Sequence, residues 1–255
     1  MSFQQHTTCS EGKFVRAETR HRLKQDRFSR ATIEAAEATA HWTVEHKGKL
    51  IIGSVVVIVL AAAILGMLYR LNQQDQEASA KLSQAVRTLD TPIQPEGTPA
   101  QPDFPSFISS KERATQAHKQ FEQIVTQYPH THSAGFARYF LGLTSSQLGD
   151  NAAAERELKQ VASSRNPDLA ALAKFALASV YRNSNRNKEA IDIYNQLISK
   201  PTRTVAKVTA QLEQAATYQS AQLPLEAKRV YEQVQKENPA TEAAQMASAK
   251  LQEIK

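Results

Sequence analysis

The fold is decided by the stretch ARYFLGLTSSQLGDNAAAERELKQV, residues 137–161, because two later stretches repeat its pattern. The others are AKFALASVYRNSNRNKEAIDIYNQL at residues 173–197 and QLEQAATYQSAQLPLEAKRVYEQV at residues 211–234. Four positions agree in all three: two small residues, then a bulky one, then an apolar one. In that order they are Gly142, Ala178, Ala215; Ala154, Ala190, Ala227; Leu158, Tyr194, Tyr231; and Val161, Leu197, Val234. Such self-similarity indicates a repeat architecture.

A helix hairpin accounts for this spacing. Each helix needs a small residue where its partner crosses, and bulky residues one turn away fill the gaps. Prolines close or nearly close each unit, because proline ends one helix or opens the next. We therefore predict repeats near residues 135–168, 171–204 and 208–241, followed by a capping helix over 241–254. Gly149-Asp150 and Asn185 are predicted to form turns, and Pro224 to open a helix.

These spacings resemble the tetratricopeptide repeat, and the resemblance covers Gly135–Glu242. An incomplete unit precedes it in Ala117, Phe121, Ile124 and Pro129. The period is longer than the family's usual one, and the family's early Trp is absent. The resemblance implies an all-α fold, with a repeat domain over residues 111–255 that forms an α-solenoid of helix hairpins.

Composition agrees with helices, since aromatics are 7 % of the chain and Ala, Gln, Glu, Lys and Leu are abundant. Cys9 is the only cysteine, so an intrachain disulfide and a thiolate metal cluster are excluded. The net charge of +6 is spread along the chain, and we expect no nucleic-acid partner.

Residues 50–69, LIIGSVVVIVLAAAILGMLY, form an uncharged run of twenty residues. As a helix this run is about 30 Å long, the thickness of a bilayer core. We predict a single transmembrane helix preceded by a basic cytoplasmic tail, residues 1–49. The tail's nine Lys and Arg favour a cytoplasmic N-terminus, although the residues nearest the two ends of the run carry equal numbers of basic residues. Ala62 and Gly66 suit close approach of another helix, a pattern also common in membrane helices without partners.

Residues 70–90 are predicted to form a membrane-proximal helix. The stretch TPIQPEGTPAQPDFP holds five of the ten prolines, so residues 91–110 are predicted to be a semi-rigid linker. Ser109 and Glu112 then match a capping box that starts the next helix.

By resemblance, the first helix of each hairpin lines a peptide-binding groove. Two interpretations stay open for the aromatic residues there: contact with a peptide, or packing between neighbouring helices. The groove residues are Phe136, Tyr139, Leu143, Leu172, Phe175, Ser179, Arg182, Leu212, Ala216 and Gln219. The Lys and Asn clamp with which some members hold a C-terminal carboxylate has no counterpart at these positions.

No catalytic motif is present: the sequence has no phosphate-binding glycine loop, no HExxH and no GxSxG. His130 and His132 lack a third ligand close in sequence, so a solvated loop is favoured over a metal site. We expect no enzymatic activity, no cofactor, no metal and no small-molecule substrate.

The order of parts is a basic tail, one apolar helix, a short helix and tetratricopeptide-type repeats. It resembles the YfgM-like ancillary subunit family of the bacterial Sec translocon (SecYEG), whose repeat domain is similar to that of CpoB. The resemblance implies an inner-membrane protein with a periplasmic C-terminal domain that contacts the translocon and emerging secreted chains as a chaperone. The alternative is a scaffold for assembling an envelope, secretion or cytochrome-maturation complex.

Overall fold

The computed structural model describes residues 47–94 and 106–254. These residues form nine α-helices, which confirms the predicted all-α class. The helices are α1 (Lys47–Asp90), α2 (Ser110–Gln127), α3 (His132–Gln147), α4 (Asn151–Ala162), α5 (Pro167–Asn183), α6 (Asn187–Ser199), α7 (Lys207–Ser220), α8 (Pro224–Glu237) and α9 (Glu242–Glu253).

The chain divides into two compact units, one ending at Met67 and one beginning at Leu68. Within the first unit, the described part of α1 holds most of the apolar run. Its large side chains are at least half exposed, from Val56 at 50 % to Ile52 at 66 %. An 18-residue window of α1 reaches a mean hydropathy of 2.9, and the window is unburied. In length and composition α1 could therefore cross a membrane.

Three helix hairpins make up most of the second unit: α3 with α4, α5 with α6, and α7 with α8. The repeated positions of the sequence form their cores. Ala154, Ala190 and Ala227 are fully buried, and so are Leu158 and Tyr194. At Gly142 a Cβ atom would lie 2.7 Å from Leu158 Cγ, so any larger residue would force Leu158 to shift where α3 crosses α4. The structure thus confirms the size pattern and its physical cause.

The predicted helix ends are also present. Ser109 Oγ accepts from the Glu112 amide, and the Glu112 carboxylate accepts from the Ile108 amide at 3.0 Å. Asp150 caps α4, and Pro224 opens α8. The turns share one further feature, a residue with positive φ seven positions after each small residue of the first helix. These residues are Gly149 (89°), Asn185 (59°) and Gln222 (60°).

Residues 68–90 of α1 belong to the same packed unit as the repeats. Ala78 and Ala85 are fully buried and share a hydrophobic cluster with Phe121 and Ile124 of α2 and Leu141 of α3. Asp75 Oδ1 accepts from the Ser133 amide and hydroxyl, at 3.1 and 3.0 Å, where α3 begins. Lys81 Nζ donates to Gln127 Oε1, and Tyr128 Oη donates to Glu77.

These residues therefore supply the first helix of the unit that looked incomplete in sequence, with α2 as its second helix. The packed unit starts before the predicted boundary at residue 111, and the proline-rich stretch connects two helices of one hairpin. Ile93 and Phe107 form a parallel bridge, and Arg113 Nη1 donates to the Thr91 carbonyl at 2.9 Å. Residues 95–105, which carry most of the predicted linker, lie outside the described residues, as do the tail residues before Lys47.

Candidate functional site: a cleft between the first helices

The ten predicted groove residues lie on the first helices of the three hairpins, which contact one another in succession. Phe136, Tyr139 and Leu143 are on α3, and Leu172, Phe175, Ser179 and Arg182 are on α5. Leu212, Ala216 and Gln219 are on α7. Their recurrence at one register places each set on one face of its helix, because residues three and four apart share a face.

Four of the ten line one cleft of about 460 Å³ between α3 and α5: Tyr139, Leu143, Phe175 and Ser179. Its other lining residues, which the repeat pattern does not indicate, are Ser146, Gln147, Ala176, Val180 and Asn183. Apart from the tyrosine hydroxyl, none of these side chains is ionisable. The cleft offers apolar surface with hydroxyl and amide groups at its edge, a combination common in ligand sites.

Tyr139 and Phe175 pack against neighbouring aromatic rings and also line the cleft. The Tyr139 ring lies edge to face with Phe140 at 5.3 Å, and Phe175 lies edge to face with Tyr194 at 5.8 Å. Both are half-buried, and both line the cleft. Burial raises the pKa of Tyr139, so its hydroxyl is neutral at physiological pH. The two rings are thus held in place by the fold at the wall of the cleft.

The other predicted residues lie outside this cleft. Arg182 Nη1 forms an ion pair with Glu213 at 2.6 Å that joins α5 to α7, which neutralises its charge. Leu172 and Leu212 are half-buried against the hydrophobic clusters of their hairpins. Gln219 accepts a hydrogen bond from Tyr231, and Phe136 is 37 % exposed on α3. Ala216 is half-buried on α7.

One set of polar residues was missed by the sequence analysis. Arg138, Lys174 and Gln211 lie four positions before Gly142, Ala178 and Ala215, and each reaches the second helix of its own hairpin. Arg138 donates to Glu157 and Gln160, Lys174 to Gln196, and Gln211 to Glu237. The sequence did carry a signal for them, because these residues stand at the position where the family has its early Trp.

His130 and His132 are both exposed around the start of α3. Within residues 47–94 and 106–254, no group of three or more metal-ligating side chains comes together.

A family model described as a tetratricopeptide repeat-like domain matches residues 40–196, more than half of the chain. A solved structure with 18 % identity is a Podosopora anserina putative kinesin light chain of nearly identical tetratricopeptide-like repeats. It covers 69 % of this chain and 84 % of its own, with a TM-score of 0.53. A second structure, of a variant of that kinesin light chain, matches over the same shares at 17 % identity, with a TM-score of 0.53. No curated protein matches the chain.

Proposed function

Because this chain belongs to the tetratricopeptide repeat-like domain family, whose repeats typically bind polypeptides, we propose that it is a membrane-anchored polypeptide-binding protein. The observation that carries the proposal is the α3–α5 cleft. It is open and free of charged side chains, and its lining combines apolar side chains with hydroxyl and amide groups, so it suits an uncharged, partly apolar stretch of another chain. Because its polar groups are only hydroxyls and amides, the cleft accepts many sequences.

We propose further that α1 is a single-pass anchor, with the N-terminal tail in the cytoplasm and the repeats in the periplasm. Two observations support the anchor. The large side chains of the apolar run are exposed, which is unfavourable in water, and a lipid bilayer would bury this apolar surface. The family match also begins at residue 40, ahead of the apolar run, so the run and the repeats fall in one matched region.

In the more specific form of the proposal, the chain is an ancillary subunit of the Sec translocon that assists emerging secreted polypeptides. A cleft without charge preference favours this role over a dedicated scaffold, because chains leaving a translocon vary in sequence. Secreted chains also present apolar segments before they fold.

Photocrosslinking in cells tests both which polypeptides the cleft binds and whether the chain lies beside the translocon. One photoreactive residue replaces Asn183 at the edge of the cleft and another replaces Ile51, and Asp192 on α6 provides the control position. The proposal predicts translocon subunits at Ile51, many secreted chains at Asn183, and few products at Asp192. One dominant product at both Asn183 and Ile51, with no translocon subunit, would contradict it and leave an assembly scaffold.

The sole cysteine allows the orientation to be measured separately. In intact spheroplasts, a membrane-impermeant maleimide is expected to label a Gln252→Cys chain at the C-terminal helix. Cys9 alone should be labelled only after permeabilisation. The reverse pattern would contradict the proposed topology without affecting the cleft.

A further inference from the structure

The three hairpins differ in the charged residues where the first half of the first helix faces the second half of the second helix. In the α3–α4 hairpin, Arg138 meets the carboxylate of Glu157 at 3.3 Å. In the α7–α8 hairpin, Lys207 meets Glu237 at 2.9 Å, and Gln211 also donates to Glu237. Hydrogen bonds from Gln233, Lys207 and Gln211 lower the pKa of Glu237 to about 2, and the one from Gln233 contributes most. Each of these two ends supplies its own anion.

The α5–α6 hairpin lacks that anion. Ile193 stands where the α3–α4 hairpin has Glu157, and Lys200 stands where the α7–α8 hairpin has Glu237. Lys174 donates only to the neutral Gln196 amide at 3.2 Å. Among the described residues, neither Lys174 nor Lys200 forms an ion pair. Asp168, at the start of α5, is already paired with Arg203 at 3.0 Å.

This same end is open. A cleft of about 510 Å³ lies there, and Lys174 and Lys200 both line it. Its floor includes Ala171 and Leu197, which are 5 % and 3 % exposed. In the repeat pattern of the family a tryptophan stands at the position of Lys174, and here the lysine lines the cleft. The cleft therefore joins apolar surface to two cations that have no carboxylate among the described residues.

We propose that this cleft, which we call the lysine cleft, is a second docking site that takes an acidic and apolar segment of a partner polypeptide. An apolar side chain of the segment covers Ala171 and Leu197, and a neighbouring Asp or Glu meets Lys174 and Lys200. The partner segment thus supplies the carboxylate that the other two hairpins supply themselves. Charge complementarity distinguishes this occupant from the uncharged segment expected in the α3–α5 cleft.

The test uses the full chain in lipid nanodiscs and an end-capped, fluorescein-labelled heptapeptide of alternating glutamate and leucine. Fluorescence anisotropy is expected to show saturable binding that weakens with salt, since the attraction is screened. The double variant Lys174→Gln, Lys200→Gln should bind at least about fivefold more weakly, because two half-solvated charge contacts are lost. Replacing the glutamates of the peptide by glutamine should have a similar effect.

Lys188→Gln is the matched control, since it removes a lysine of α6 that does not line the cleft. Its affinity should stay within about twofold of the unchanged chain. Lys174→Trp, which fills the space with the residue typical of the family, should abolish binding and keep the helical circular dichroism signal. The proposal is overturned by absence of saturable binding up to about 1 mM peptide. Equal affinity for the glutamine peptide, or an equal loss in Lys188→Gln, would overturn it as well.

Discussion

Substituting Gly142 by alanine tests the packing of α3 against α4. In an exposed helix interior this change would stabilise by about 1 kcal/mol, because glycine loses more backbone entropy on folding. At Gly142 the new Cβ would lie 2.7 Å from Leu158 Cγ and 2.9 Å from Cδ2. Leu158 is fully buried, so it cannot move away without disturbing its neighbours. Overpacking of this kind costs about 1–3 kcal/mol, which leaves a net loss of about 1 kcal/mol.

Gly135→Ala is the matched control, since it lies on the same helix and is the same substitution. Its Cβ would meet only the end of the Leu169 side chain, at 3.3 Å. We expect this variant to be neutral or to gain up to about 1 kcal/mol. The two alanine variants should therefore differ by about 1–2 kcal/mol in their free energy of unfolding. Urea unfolding of the full chain in detergent, followed by far-ultraviolet circular dichroism, measures both.

A double-mutant cycle isolates the contact. When Leu158 is first replaced by alanine, the atoms that meet the new Cβ are gone, and Gly142→Ala should become neutral or stabilising. The coupling energy between the two sites is expected to be about 1–3 kcal/mol. If Gly142→Ala stabilised the unchanged chain as much as Gly135→Ala does, close packing would be refuted as the reason for the repeated small residue.

The remaining predictions concern the first hairpin, a turn and an ion pair. A chain starting at Leu68 should unfold cooperatively. A chain starting at Ser106 exposes Phe121 and Ile124, so it should lose helix signal and bind a hydrophobic dye. Equal stability of the two chains would contradict the packing of α1 against α2. Gln222→Gly should stabilise by about 1 kcal/mol, because it relieves a positive φ at a residue with a Cβ, and a destabilisation measured in urea would contradict this. Hydrogen bonds from Lys159, Arg186 and Tyr181 lower the pKa of Glu155 to about 2, below its unfolded value of about 4.3. The contribution of ionised Glu155 to the free energy of unfolding is therefore complete above about pH 4.3 and is lost as the pH falls through about 2. Glu155→Gln should lower the free energy of unfolding by about 1 kcal/mol at pH 7 and hardly at all at pH 2. A loss independent of pH would contradict this.

The hairpins could be predicted because their determinants are local and repeated. Gly142 and Ala154 meet across one turn, and the same pair recurs as Ala178 with Ala190 and Ala215 with Ala227. Proline and capping signals act over a few residues, so Pro224 and Ser109 could be interpreted without tertiary information.

The first hairpin was harder to predict because its two helices are separated by residues 91–109. The small residues Ala78 and Ala117, buried in one cluster, are thirty-nine positions apart in the sequence, whereas in the other hairpins the two small residues are twelve apart. A proline-rich stretch normally indicates a domain boundary, and only packing shows that it joins two helices of one unit. The buried Ala78 and Ala85 were visible in sequence, but their partner was not.

At the candidate site, the sequence indicated the helix face but not the pairing of its charges. Arg182 was predicted as a peptide contact, and the structure pairs it with Glu213 on the next hairpin. Glu213 lies thirty-one residues further along the chain, a separation that matches neither the helical spacing nor the repeat period. The cleft residues Ser146 and Asn183 were likewise overlooked, because polar side chains are common near any helix end that meets solvent.

The central claim, that the α3–α5 cleft binds uncharged polypeptide, is tested most directly by one binding measurement on the full chain in nanodiscs. Ser146→Arg places a long charged side chain in the cleft and leaves the buried core side chains unchanged, and Ser163→Arg makes the same change at an exposed position at the end of α4. The ligand is a fluorescent, permanently unfolded polypeptide rich in leucine and serine. We expect at least about a tenfold loss of affinity for Ser146→Arg and little change for Ser163→Arg, because a desolvated charge in an apolar cleft costs more than about 1.4 kcal/mol. Equal affinities for the two variants, with unchanged helix content, would contradict binding at this cleft.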